Sequence, residues 1–138
     1  MADKRVLVTG AARGIGKGIA KRFLDEGASV ILLDKNESDL LETIAELGQK
    51  NGQLEYIVCD LSNDEQLQTA AERAWNYWDG LDVLVNNAGI AVRESFLDIP
   101  QANWDRIMDV NVRAMFMLSQ RIAKRMVETR VPGSIVNM

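Results

Sequence analysis

Apolar and polar positions follow two different rhythms along this chain. Short, mostly β-branched apolar runs predict strands, and longer stretches with apolar residues every three or four positions predict helices. The predicted strands are Arg5–Val8, Ser29–Leu33, Glu55–Val58, Leu81–Val85 and Ser134–Asn137. The predicted helices are Gly14–Glu26, Glu37–Leu47, Asp64–Trp78 and Trp104–Glu128. The alternation predicts an α/β fold, with a parallel sheet covered by helices on both faces and joined by right-handed crossovers.

Residues at the predicted helix ends support these boundaries. Gly27 and Gly48 follow the first two helices, where a left-handed residue commonly ends a helix. Ser62 and Glu65 have the spacing of a capping box at the start of the third helix. Since no repeat or linker interrupts the pattern, we expect one domain over residues 1–138.

Composition and charge narrow the class of protein. The chain is 47% apolar, which is ordinary for a globular domain. Its 16 basic and 20 acidic residues are spread along the sequence and give a net charge of −4, which argues against a nucleic-acid-binding surface. No apolar run approaches the roughly 20 residues that span a bilayer, and the first residues lack a signal-peptide pattern. We therefore expect neither nucleic acid nor membrane as a partner.

The cysteine and histidine content limits the cellular location and the kinds of site that the chain can contain. The single cysteine, Cys59, cannot form an internal disulfide, which suits a reducing compartment, so a cytoplasmic location is expected. The chain has no histidine, which excludes histidine-rich zinc sites and Ser-His-Asp triads within it. No metal site is expected.

A glycine-rich segment follows the first predicted strand and opens the first helix. It reads Thr9-Gly10-Ala11-Ala12-Arg13-Gly14-Ile15-Gly16. Glycines at such a turn let the backbone approach a pyrophosphate, whose charge is met by the helix N-terminus. The alternative is a generic strand-to-helix turn, but the position within a βαβ unit favours dinucleotide binding.

An acidic residue follows at the distance that such a loop requires. Asp34 lies 18 residues after Gly16, at the end of the second predicted strand. A carboxylate there can accept both hydroxyl hydrogens of an adenosine ribose and would repel a 2′-phosphate. Arg13 and Lys35 favour the opposite outcome, because either could pair with that phosphate. The sequence predicts NAD in preference to NADP, with a solvated turn aspartate as the bland alternative for Asp34.

These residues belong to a larger set of motifs. The Thr-Gly-x-x-x-Gly-x-Gly segment from Thr9 to Gly16 resembles the cofactor loop of the short-chain dehydrogenases/reductases. Further motifs of that family follow in order, namely Asp60-Leu61, Asn86-Asn87-Ala88-Gly89 and Asn111. The resemblance extends from the first strand to the fifth. It implies a Rossmann-type doubly wound parallel sheet, of which this chain supplies the first five strands.

The resemblance also implies cofactor contacts. In the family, a pair like Asp60-Leu61 lies against the adenine ring, and a stretch like Asn86–Gly89 borders the cofactor's ribose. Without the family, Asp60 could be an ordinary turn residue and the asparagines could simply end a strand. The implied cofactor-binding residues are Gly10, Arg13, Gly14, Ile15, Gly16, Asp34, Asp60, Leu61, Asn87, Ala88 and Gly89.

Asn111 is conspicuous for a different reason. At 100° per residue it falls within one apolar stripe of the long helix, with Trp104, Ile107, Met108, Met115, Leu118 and Ile122. A buried amide needs partners, so a core asparagine bound to nearby backbone is one interpretation. The resemblance implies the other, in which Asn111 belongs to an Asn-Ser-Tyr-Lys tetrad, distorts the helix locally and holds a water of a proton path.

The long helix carries a second apolar stripe about 90° from the first. It contains Val112, Phe116, Ser119 and Ala123, and the charges Arg106, Asp109, Arg113 and Lys124 gather opposite. Relatives use this helix between subunits, so the resemblance implies a homodimer or homotetramer for the full-length protein. A thicker packing layer within one subunit is the alternative.

Three expected residues are missing. The family's serine and Tyr-x-x-x-Lys do not occur, because neither Tyr56 nor Tyr77 is followed four residues later by lysine. We therefore expect the chain to be truncated before that region and to be inactive alone. The predicted function of the full-length enzyme is NAD-dependent interconversion of a secondary alcohol and a ketone by hydride transfer. The alternatives are an NADP-dependent 3-oxoacyl thioester reductase and a non-catalytic dinucleotide-binding module.

Overall fold

The computed structural model describes residues 2–48 and 53–138. Within these residues the strands are β1 (Arg5–Thr9), β2 (Ser29–Asp34), β3 (Leu54–Val58), β4 (Val83–Asn86) and β5 (Ser134–Asn137). The helices are α1 (Gly14–Asp25), α2 (Glu37–Leu47), α3 (Asp64–Tyr77), α4 (Gln101–Met108) and α5 (Ala114–Thr129). A π-helical turn, Asp109–Arg113, joins α4 to α5. The strands form one parallel sheet in the order β3-β2-β1-β4-β5, which confirms the predicted fold class.

Side chains of the sheet alternate between two separate cores. In β1, Val6 and Val8 pack on the face that carries α1 and α2, whereas Leu7 packs on the face that carries α3 and α5. In β2, Ile31 and Leu33 share the face of Leu7. Both faces of the central strands are thus buried, as expected for strands that read as continuous apolar runs. The covering of both faces by helices is confirmed.

Two of the three predicted helix-end signals are present. Gly27 has φ +82° and its N–H donates to the Leu24 carbonyl, and Gly48 has φ +73° after α2. The predicted capping box is wrong. The side chain of Asn63 accepts the N–H of Gln66 at the start of α3, because the hydroxyl of Ser62 instead donates to the carboxylate of Asp60.

The predicted single helix over 104–128 is also incorrect in two respects. α4 begins at Gln101, three residues before the predicted start and directly after Pro100 at the N-cap position, and the π turn interrupts the helix. Because a π turn holds extra residues, a stripe extrapolated through it at 100° per residue loses its phase. Trp104 is 54% exposed in consequence, whereas the buried stripe of α5 consists of Ala114, Leu118, Ile122 and Met126.

An ion pair fastens the amino ends of β1 and β4 together. Arg5 Nε donates to Asp82 Oδ2 at 2.8 Å, and the Arg5 guanidinium also donates to the carbonyls of Trp78 and Asp79 after α3. These hydrogen bonds raise the pKa of Arg5 and lower the pKa of Asp82. The cluster lies at the opposite end of the strands from the loops described next.

None of the helices among the described residues is long and apolar enough to cross a membrane.

Candidate cofactor site

A cleft of about 360 Å³ lies at the carboxyl ends of the strands. The chain passes from β1 outward to β2 and β3 on one side, and then to β4 and β5 on the other, so the strand order reverses between β1 and β4. In open α/β sheets, ligands bind in the crevice at such a point. The lining residues are Gly10, Arg13, Leu33, Asp34, Lys35, Cys59, Asp60, Leu61, Ser62, Asn87, Ala88, Gly89, Ile90, Arg106 and Val110.

The glycines of the first loop are required by close approach. A Cβ on Gly10, which has φ +63°, would lie 2.8 Å from the Cα of Ala88. A Cβ on Gly16 would collide with the carbonyl of Gly10 and would lie 2.6 Å from Asn87 Nδ2. Gly14 has φ +58° and open space around it, so its need is conformational. The loop is therefore folded tightly against the segment after β4.

The start of α1 differs from the starts of α2 and α3. Asn36 and Asn63 cap α2 and α3 with their side chains, and acidic residues occupy the first turn of both helices. Arg13 at the start of α1 provides no such bond, and the first turn of α1 has no acidic residue. The first N–H groups of a helix have no intrahelical acceptor. Together with the helix dipole they make this end of α1 suitable for a phosphate group.

Asp34 lies between the first loop and the rest of the cleft. Its Oδ2 accepts the N–H of Ala12 at 3.2 Å, and its Oδ1 accepts the N–H of Asn36 at 3.2 Å. Each carboxylate oxygen retains a further lone pair, so the side chain can still accept hydroxyl hydrogens from a ligand. Arg13 and Lys35 line the same cleft as Asp34. The structure thus brings the acid and both competing cations together.

Thr9 and Asn87 connect the loop after β1 with the segment after β4. The Thr9 hydroxyl accepts the N–H groups of Asn87 and Ala88, both at 3.0 Å. The Asn87 amide donates to the carbonyls of Thr9 at 3.0 Å and Gly10 at 3.2 Å. Both amide hydrogens of Asn87 are therefore used to hold the loop, which leaves the small residues Ala88 and Gly89 to border the cleft.

The far end of the cleft is formed after β3. Asp60 Oδ1 accepts the N–H and the hydroxyl of Ser62, and these hydrogen bonds hold the pKa of Asp60 below its usual value. The positive charges of Lys35 and Arg106 act on Asp60 in the same direction. Cys59 is buried beside it, and burial raises the pKa of the thiol to about 11. Cys59 is therefore a protonated, inert side chain at neutral pH.

Asn111 is placed in the π turn and faces the segment after β4. Its Oδ1 accepts the N–H of Ile90 at 2.8 Å, and its Nδ2 donates to the carbonyl of Ile90 at 2.9 Å. The amide is thus satisfied by nearby backbone, and the helix around it is distorted. It lies behind the cleft wall rather than in the lining, so the contacts position Gly89 and Ile90.

Most of the predicted cofactor-binding residues come together in this cleft. Gly14, Ile15 and Gly16 stand beside it, with Gly16 buried beneath Gly10 and the Ile15 side chain 68% exposed. The sequence interpretation missed Arg106 in α4 and Val110 in the π turn, which both line the cleft. It also missed the lining residues Leu33, Cys59, Ser62 and Ile90. The four-residue spacing of Arg106 and Val110 could have revealed those two, but the presumed uninterrupted helix assigned Arg106 to the solvent side.

A second groove, of about 450 Å³, lies between α3 and α5. It is larger than the cleft, but it is not at the strand ends. Its lining contains both cations and anions, including the ion pair of Lys124 with Glu128. The guanidinium of Arg125 lies over the ring of Trp75 in the same groove. The chemistry predicted from the sequence belongs to the smaller cleft.

A parallel sheet whose strand order reverses beside an open helix N-terminus is typical of nucleotide-binding α/β proteins. The model of the short chain dehydrogenase family matches residues 4–138. This chain belongs to that family. A nicotinamide dinucleotide is the cofactor that this membership implies.

Similar proteins are known in several organisms. Pig carbonyl reductase [NADPH] 2 is 40% identical over 134 residues, 97% of this chain and 52% of the relative. The NAD-dependent glycerol dehydrogenase of Listeria innocua is 35% identical over 99% of this chain and 52% of the relative. The crystal structure of a short-chain type dehydrogenase/reductase from Mycobacterium marinum superposes with a TM-score of 0.92 at 32% identity, covering 99% of this chain and 54% of that one. The chain spans about half the length of the curated relatives it matches.

Proposed function

We propose that this chain is the cofactor-binding part of an oxidoreductase that interconverts a secondary alcohol and a ketone with NAD. The observation that supports it best is the joining of two features in one cleft. The uncapped start of α1 suits a diphosphate, and Asp34 at the end of β2 suits the ribose beyond it. Two similar proteins, carbonyl reductase [NADPH] 2 and an NAD-dependent glycerol dehydrogenase, have names that support the reaction type, although the two names differ in the cofactor.

The residues of the cleft fit a dinucleotide in their chemistry. Gly10 and Gly16 allow the backbone to approach a diphosphate, and Asp60 and Leu61 offer an acceptor beside an apolar surface. The nicotinamide supplies the hydride transfer when it is bound. The 138 residues contain no Tyr-x-x-x-Lys, so within this proposal they contribute the cofactor platform and Asn111.

A second candidate is an NADP-dependent reductase, such as one that acts on 3-oxoacyl thioesters. This candidate is favoured by Arg13 and Lys35, which line the same cleft as Asp34. We prefer NAD because the Asp34 carboxylate would repel a 2′-phosphate. This repulsion would act at the place where Arg13 and Lys35 could otherwise bind the phosphate.

We also propose that the full-length protein assembles as a homodimer or homotetramer through the outer face of α4 and α5. Three large apolar side chains support this, since Trp104 is 54%, Val112 44% and Phe116 59% exposed. Exposed apolar surface of this kind commonly marks a contact between chains.

NADH titration of the chain, followed by fluorescence, tests the cofactor site. Gly14→Asp should weaken NADH binding roughly tenfold or more, because a carboxylate at the start of α1 opposes the diphosphate. Gly18→Asp is the matched control, since Gly18 is exposed on the same helix with open space around it. Absence of NADH and NADPH binding by the unmodified chain, or equal losses in both variants, would refute the proposed site.

A further inference from the structure

Arg106 is an unengaged cation on the wall of the cofactor cleft. It lies in α4, four residues before Val110, and both side chains line the cleft. Among the residues that the structure describes, its guanidinium forms neither a hydrogen bond nor an ion pair. Because a guanidinium has five N–H donors and a flat π surface, such a group on a cleft wall is available to a ligand.

The surroundings of Arg106 have a definite chemical character. Asp60 is near enough for the two charges to interact, yet its carboxylate bonds to Ser62 and not to Arg106. Leu61 and Val110 contribute apolar surface to the same region. This end of the cleft therefore combines two apolar side chains, one acceptor, the charge of Lys35 and one free planar cation. The apolar side chains and the planar cation together suit a flat heteroaromatic ring.

The position of this region along the sheet identifies the part of the ligand it would receive. The sheet order runs from β1 through β2 to β3 on this side. If the diphosphate lies at the loop after β1 and the ribose at Asp34 after β2, the next group outward lies after β3. In a dinucleotide that group is the adenine base.

We propose that Arg106 determines recognition of the base, with its guanidinium lying over the adenine ring. This inference rests on the proposed function, because it requires a dinucleotide in the cleft. Planar guanidinium groups are weakly hydrated and stack readily on aromatic faces. The nearby charge of Asp60 favours the side chain in the cleft over a position in solvent.

Nitrogen–proton NMR spectra of the chain with AMP test the stacking directly. Ring current from adenine should move the Arg106 Nε–H signal upfield, with the signal assigned by its loss in Arg106→Lys. The Arg113 Nε–H should not move, because Arg113 follows on the same helical segment but pairs with Asp64 outside the cleft.

NADH titration provides the second measurement. Arg106→Ala should weaken NADH binding about 3- to 30-fold, whereas Arg113→Ala should leave it within twofold. Circular dichroism should show both variants folded, since Arg106 supports no other described side chain by a direct bond. Binding of AMP without movement of the Arg106 signal, or unchanged NADH affinity in Arg106→Ala, would overturn this inference while leaving the proposed function intact. Failure of the unmodified chain to bind either nucleotide would overturn both.

Discussion

The polar residues of the site are held by backbone groups before they meet a ligand. Asp34 accepts two N–H groups, Asn87 donates to two carbonyls, and Asn111 makes both of its bonds to Ile90. Such double contacts fix a side chain in one orientation and still leave lone pairs for a substrate or cofactor. These residues therefore have a structural role in the folded chain, and the binding role proposed for Asp34 would be additional to it.

Asp34 should decide between the two nicotinamide cofactors. Asp34→Ala removes the acceptor for the ribose hydroxyls, so NADH affinity should fall roughly 10- to 100-fold. NADPH affinity should rise, because Arg13 and Lys35 would then meet the 2′-phosphate without an opposing charge. Asp39→Ala is the control, as Asp39 lies five residues away outside the cleft. Equal or tighter NADPH binding by the unmodified chain would contradict the prediction.

Asn111 allows its structural and functional roles to be separated. Asn111→Leu leaves the N–H and the carbonyl of Ile90 unpaired, which should cost about 1–3 kcal/mol for each group that remains buried. NADH affinity should fall by no more than about threefold, because the first loop and Asp34 lie on other elements and Asn111 reaches the cleft only by positioning Gly89 and Ile90. Asn103→Leu is the control, since its amide bonds only to the Glu94 side chain among the described residues. Denaturant unfolding and NADH titration make the comparison.

The functional role can be tested only in a polypeptide that also carries Tyr-x-x-x-Lys. If Asn111 supports a proton path there, kcat of Asn111→Leu should fall about 10²- to 10⁴-fold in protein that still folds and binds NAD. A normal kcat in that protein would leave Asn111 with the structural role alone.

At the scale of elements, local patterns predicted the strands and the first three helices well. Short runs of β-branched and apolar residues such as Val6–Val8 fit strands buried on both faces. Gly27 marks the end of α1, where the chain has a positive φ. The long helix failed because its phase depends on the π turn, whose partner Ile90 is 21 residues away in sequence. The cleft residue Arg106 was missed for the same reason. Capping at Asn63 was missed because a serine and an asparagine competed locally.

Arg5 connects β1 with Asp82 at the start of β4 and with the carbonyls that follow α3, so its contact with Asp82 should stabilise the fold. Asp82→Asn should lower the free energy of unfolding by about 1.5–3 kcal/mol at pH 7, since it removes charge-assisted hydrogen bonds. The pKa of Asp82 is lowered in the folded chain, so its contribution is present above about pH 4 and disappears as the pH falls through the folded value. The difference between the two proteins should therefore shrink in acid.

Urea unfolding between pH 2.5 and 7 measures this dependence. Asp79→Asn serves as the control, because Asp79 is exposed, has a positive φ that asparagine tolerates, and hydrogen-bonds to Arg5 through its carbonyl. The Asp79 charge also acts on Arg5, but less than that of Asp82, so the control should show a smaller effect. A destabilisation by Asp82→Asn that is the same at pH 3 and pH 7 would contradict the assignment.

At the scale of the whole molecule, the two ends of the sheet have different tasks. The amino ends of β1 and β4 are fastened by Arg5 and Asp82, and the carboxyl ends carry the loops that form the cleft. β1 pairs with β2 and β4 and contributes residues at both the amino end and the carboxyl end of the sheet. Substitutions of Arg5 or Asp82 should therefore change stability and leave the cleft intact, whereas substitutions at the carboxyl ends can affect both.

A further prediction concerns the catalytic activity of the 138-residue chain. The 138-residue chain should bind NADH but form no NADH from NAD and secondary alcohols or sugars, because it has no tyrosine–lysine pair to exchange the substrate proton. A sensitive absorbance assay across such alcohols tests it. Turnover that disappears in Gly14→Asp but persists in Gly18→Asp would overturn the prediction, since it would arise from the cleft itself.

The contact of Thr9 with Asn87 and Ala88 has a kinetic consequence. Ordering a loop during association costs on the order of 1–2 kcal/mol for each residue fixed, and slows the encounter when a rare conformation must form first. Here hydrogen bonds of the folded chain already hold the loop, so a nucleotide that binds in the cleft should not have to order it first. Association should then follow a single exponential whose rate rises linearly with nucleotide concentration, and differences in affinity between nucleotides should appear in how long each one stays.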